Sequence, residues 1–181
     1  MTPVAPVAPV DTSLNQYLKH SWIAPIHLAA YRGHVALCRQ LLLEWHKIWP
    51  ATCGKYEAAG LHFAAVAGHL EVYKLFQDYQ DIKDKHHLFA DINGRRPLHF
   101  AAENGHLEVC KFIIERAKRK IEESNPADRN GRTPLHCAAM HGHLDIFCTI
   151  IDNVTNRNPA DNNGVTPFHL AAENDHPDIC S

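Results

Sequence analysis

Five ten-residue segments of this chain align without a gap. They are Pro25-Ile-His-Leu-Ala-Ala-Tyr-Arg-Gly-His34, Gly60-Leu-His-Phe-Ala-Ala-Val-Ala-Gly-His69, Pro97-Leu-His-Phe-Ala-Ala-Glu-Asn-Gly-His106, Pro134-Leu-His-Cys-Ala-Ala-Met-His-Gly-His143 and Pro167-Phe-His-Leu-Ala-Ala-Glu-Asn-Asp-His176. Their first histidines fall at 27, 62, 99, 136 and 169, so the intervals are 35, 37, 37 and 33 residues. A period of this length defines a supersecondary unit too small to bury its own apolar face. Neighbouring copies must supply the core, which makes the expected architecture a solenoid in which each unit touches only the next.

The fourth copy shows why these residues recur. Asp128-Arg-Asn-Gly131 is a turn signal, because glycine accepts positive φ and the Asp side chain bonds nearby backbone. Thr133 suits a helix N-cap, and Pro134 the first helical position, where no N–H is needed. Leu135 and the pair Ala138-Ala139 are the expected contact residues, the alanines keeping adjacent helices close. Gly142 is placed to end this helix in a left-handed cap. A second helix follows, with Leu144, Ile146, Phe147, Ile150 and Ile151 on one face; the third copy matches it with Leu107, Val109, Cys110, Ile113 and Ile114.

The copies differ. The second has Gly60 in place of proline and Glu57 in place of the turn glycine, which predicts an irregular finger loop. The fifth has Asp175 where the others have glycine, a residue that enters the left-handed region at some cost. Intervals of 37 exceed the shortest by four residues, about one helical turn. Longer second helices are therefore expected in copies two and three, for example from Leu107 to about Glu122.

With the preceding Asp-x-x-Gly, the Thr-Pro-Leu-His helix starts resemble the ankyrin repeat over roughly residues 22–181. The resemblance implies an all-α solenoid of helix-turn-helix units with short β-hairpin-like finger loops. Its units would lie near 22–53, 54–90, 91–127, 128–160 and 161–181, the last truncated. Residues 1–12 read as a disordered, Pro-rich tail, since three prolines break any apolar helix there, and Thr12 to His20 as a helix covering the first repeat. The chain reaches Ser181 only five residues into the fifth second helix, which predicts a fragment of a longer array.

Fifteen histidines in 181 residues look like a metal signal, yet ten of them are the two repeated positions. In the family, the first histidine bonds loop backbone between repeats and the second orders the turn between helices. Of the rest, His86-His87 lacks a third ligand, so no metal or other cofactor is expected. Cys38, Cys110 and Cys180 each lie four residues after the turn histidine, a slot for a small buried side chain, and Cys137 sits at a packing position. Cys53 and Cys148 read as more exposed. No C-x-x-C pair, basic leader or long apolar span is visible, which points to a reducing compartment, cytoplasmic or nuclear.

The formal charge of −2 argues against a nucleic-acid binder driven by charge. The run Lys111, Arg116, Lys118, Arg119 and Lys120 leads into Glu122 and Glu123 and reads as a solvated helix face. No phosphate loop, His-Glu-x-x-His or Gly-x-Ser-x-Gly is present, so no enzymatic activity is expected.

The resemblance implies a protein–protein interaction module, expected to be monomeric, that binds a protein partner on a concave face of finger tips and first-helix ends. The matching positions here are Tyr31 and Arg32 in copy one, and Asn93, Arg95, Glu103 and Asn104 in copy three. Copy four supplies Arg129, Asn130, Arg132, Met140 and His141, and copy five Asn162, Asn163, Glu173 and Asn174. The finger arginines suggest a partner with some acidic character. The alternative is a regulatory or targeting array of a larger protein such as an ion channel, kinase or ubiquitin-ligase adaptor. Asn125 and Asn158 match the hairpin asparagine hydroxylated in some family members, although here both precede proline.

Overall fold

The structure is a computed structural model that describes residues 25–44, 52–53, 58–81, 90–117 and 125–181. The expected tail, the covering helix at 12–20, His86-His87 and the charged run from 118 to 123 lie outside the described residues. Helices alternate short and long along the chain. The first helices of the five repeats are α1 (Pro25–Tyr31), α3 (Gly60–Val66), α5 (Pro97–Glu103), α7 (Pro134–Met140) and α9 (Pro167–Glu173). The second helices are α2 (Val35–Glu44), α4 (Leu70–Asp81), α6 (Leu107–Ala117), α8 (Leu144–Ile151) and α10 (Pro177–Cys180).

Each first helix packs on the first helix of the next repeat, and second helices form a parallel layer beside them. The alanine pairs allow this approach: Ala30, Ala64, Ala65, Ala101, Ala102, Ala138 and Ala139 are fully inaccessible to solvent. Leu98 and Leu135 fill the same layer, and Val72, Phe76, Val109, Ile114, Ile146 and Ile150 close it from the second helices. The core therefore runs unbroken from repeat to repeat. The four extra residues of copies two and three lengthen the second helices, as the intervals predicted. α4 and α6 have 12 and 11 residues, against eight in α8. α6 is described as far as Ala117.

The fingers follow from their aspartates. Asp91, Asp128 and Asp161 each accept two backbone N–H bonds on Oδ1, from the residues two and four positions on, at 2.8–2.9 Å. Adjacent fingers are also tied together. The Arg129 N–H donates to the Asn93 carbonyl, and the Asn162 N–H to the Asn130 carbonyl, both at 2.9 Å. Where the first repeat meets the second, β1 (Thr52–Cys53) pairs antiparallel with β2 (Ala58–Ala59). α3 starts on Gly60 itself, where a Cβ would lie 2.9 Å from the Phe76 ring. The departure from proline is thus a packing requirement of Phe76.

Two expectations need correction. Cys180, placed in a buried slot, is exposed, whereas Cys38 and Cys110 are fully buried. Among the described residues, α10 packs on one neighbouring second helix, α8. Leu144, assigned to the buried face of α8, remains 38% exposed at the helix start.

Candidate partner-binding surface

Six of the repeated histidines, His62, His69, His99, His106, His136 and His143, bond across to a neighbouring repeat. In His99, Nδ1 accepts the Arg96 N–H at 3.0 Å, and Nε2–H donates to the Arg132 carbonyl of the next repeat at 3.1 Å. His136 repeats this with the Thr133 N–H at 3.0 Å and the Val165 carbonyl at 3.1 Å, and His62 reaches the Arg95 carbonyl at 3.2 Å. A ring that accepts on one nitrogen and donates from the other is neutral. Burial holds His99 down at about 3 and also lowers His136.

The second histidines do more than order their own turn, which corrects the expectation. They too cross between repeats, but backwards. Nε2 of His69 donates to the Tyr31 carbonyl at 3.1 Å, that of His106 to Val66 at 2.8 Å and that of His143 to Glu103 at 3.1 Å. Each ring lies against the turn glycine of the preceding repeat, with His176 likewise against Gly142. Two ladders of side chain-to-backbone bonds therefore run along the array in opposite directions.

Cysteine chemistry is muted. Burial pushes Cys38 up to about 11, and Cys110 and Cys137 to about 12, so all three are thiols at neutral pH. Among the described residues, no three His, Cys, Asp or Glu side chains converge on a point that would hold a metal ion. No helix among them is long and apolar enough to cross a membrane.

The expected binding residues divide into two groups. In copy three, Arg95 forms an ion pair with Glu103 and stacks its guanidinium 4.1 Å above the Phe100 ring. Asn104 donates to the Phe100 carbonyl at 2.9 Å, capping the end of α5. Asn174 does the same to Leu170 in copy five at 2.8 Å. Asn162 donates to the Arg129 carbonyl across fingers at 3.0 Å. Arg132 lies 3.5 Å from Asp161, whose burial favours protonation but is outweighed by the Val165 and Asn163 N–H groups and by Arg132, so the carboxyl pKa is lowered.

The second group is open. Arg32, Asn93, Arg129, Asn130, Met140, His141, Asn163 and Glu173 are exposed, and Tyr31 is half-buried. Neither Arg129 nor Glu173 makes an ion pair among the described residues. Sequence reading missed the Phe100 platform under Arg95. It also missed the work of two asparagines: Asn125 and Asn158 accept the second-position N–H groups of α7 and α9, from Leu135 at 3.2 Å and Phe168 at 3.4 Å. Their common offset of ten residues was the available signal.

A family model described as ankyrin repeats, in three copies, matches residues 26–124, 61–158 and 117–181. The chain belongs to the ankyrin-repeat family. Ankyrin repeats are generally protein–protein interaction modules and typically non-catalytic. Comparison with curated proteins gave no match. In ankyrin terms, the Thr-Pro-Leu-His segment supplies the forward histidine ladder and the Gly-His segment the backward one.

Proposed function

We propose that this ankyrin array binds a protein partner through the surface made by its finger tips and the C-terminal ends of its first helices, the concave face expected of the family. The observation that carries this reading is a division of labour. Positions constant from copy to copy are used in the core and the two ladders. Positions that change from copy to copy are Tyr31, Val66, Glu103, Met140 and Glu173 at one register and Arg32, Ala67, Asn104, His141 and Asn174 at the next, and outside the buried Val66 they supply the variable side chains of this surface. A stack held by its own seams presents such a surface already ordered, so little side-chain and backbone entropy is lost on binding. The mechanism is reversible association without covalent chemistry.

Affinity capture with the full chain, followed by the same capture with Arg129→Ala, Met140→Ala and His141→Ala combined, tests the reading. The thermal melt should move little, because all three side chains are exposed. Captured protein should fall at least tenfold. Undiminished capture, or a loss produced instead by substituting Lys111 and Glu108 on the second-helix layer, would refute it.

A further inference from the structure

The register shared by Tyr31, Glu103, Met140 and Glu173 is not chemically uniform. In copy three the finger arginine and the helix-end carboxylate, Arg95 and Glu103, neutralise each other. Copy four keeps the arginine but has Met140 in place of the carboxylate, and Arg132 turns to Asp161. Copy five keeps the carboxylate but has Val165 in place of the arginine, which leaves Glu173 exposed and without an ion pair among the described residues. Met140, 38% exposed, is thus an apolar contact beside an unneutralised anion on the next helix.

Resting on the binding role proposed above, we infer that repeats four and five form the recognition subsite, and that it takes a peptide in the polyproline II conformation carrying an apolar residue and a basic residue three positions apart. The apolar side chain seats on Met140 and the cation meets Glu173. The spacing follows from geometry. Packed helices lie about 8–10 Å apart, and a polyproline II chain rises about 3.1 Å per residue with three residues per turn, so side chains three positions apart share one face and span one repeat. Charge complementarity selects a cation: among the described residues Glu173 is the open charge of this helix-end register, and exposed Asp175 two positions on adds to its sign, whereas the open Arg129 belongs to the finger. Copy three offers no competing subsite, because Arg95 already answers Glu103.

A random twelve-residue peptide library displayed on phage, selected against the full chain and against its Glu173→Lys variant, tests the inference. The wild-type selection should enrich an aliphatic or aromatic residue with Lys or Arg three positions away. The Glu173→Lys selection should replace that Lys or Arg with Asp or Glu, and Met140→Ser should lower binding of wild-type winners at least fivefold. Wild-type winners that are indifferent to Glu173→Lys but lost on Arg32 or Asn93 substitution would overturn this inference and leave the broader binding surface standing. Winners lost only on Lys111 or Glu108 substitution, or no enrichment from either bait, would overturn both. Circular-dichroism melts of the variants confirm that the fold persists.

Discussion

Repeats four and five carry nearly the same sequence motif and stand in different physical situations. In repeat four, Leu135 is fully buried, His136 is buried with both ring nitrogens bonded, and Gly142 faces the His176 ring. In repeat five the equivalent Phe168 is only half-buried, His169 is exposed and Ala172 is open to solvent. The turn position holds Asp175 at φ 60° in place of glycine. Among the described residues, a motif residue thus carries the weight of the neighbours packed against it. The same side chain is a core element in one copy and a surface group in another.

The strongest way to break this comparison is a charge at the shared leucine position. Leu135→Asp buries an unpaired carboxylate between helices and should destabilise by more than about 4 kcal/mol. Phe168→Asp should cost about half as much or less. Equal effects in chemical denaturation would show that the repeats do not differ. Next in size is the pH response. His99 is held neutral in the folded state down to about 3, while an unfolded histidine titrates near 6.5. Above that value both states are neutral and pH has no effect. As pH falls below it, the unfolded chain binds a proton that folded His99 refuses, so stability falls. By pH 5 this amounts to on the order of 2 kcal/mol from His99. Urea melts between pH 8 and 4.5 should show the decline, and His99→Gln should flatten it; an unchanged slope would contradict the neutral, doubly bonded ring.

Two alanine substitutions sharpen the comparison further. Gly142 at φ 70° and Gly164 at φ 79° both sit in the left-handed region, but only Gly142 has a neighbour, the His176 ring. Gly164→Ala should cost about 1 kcal/mol from backbone strain alone. Gly142→Ala should cost roughly twice that, because His176 must also move. Asp175→Gly should produce the smallest change, a gain of about 0.5 kcal/mol, as relief of strain is partly offset by a freer unfolded chain. A loss of melting temperature in that variant would show that Asp175 has a role its backbone does not reveal.

What could be read in advance follows the same logic. The alanine seam, the left-handed turn at Gly142 and the longer α4 and α6 were legible, because each depends on local spacing. The backward histidine ladder was not, because its acceptors at Tyr31, Val66 and Glu103 are backbone carbonyls, which leave no trace in residue identity. Arg95–Glu103 was missed for a different reason. Both residues were recognised as candidate surface, but their pairing runs from a finger across to a helix end, and only the fold brings them together. Cys180 was misplaced because the slot after the turn histidine is closed by neighbouring second helices, and among the described residues α10 has one such neighbour.

The two ladders have a consequence for how such a chain changes over generations. Each rung needs a histidine on one side and only a peptide group on the other. A repeat can therefore be duplicated, deleted or exchanged, and its new neighbour will complete the forward bond whatever side chains it brings, and the backward bond where its turn position is glycine. The seam works as a standard coupling, and the residues beside it are left free to diverge.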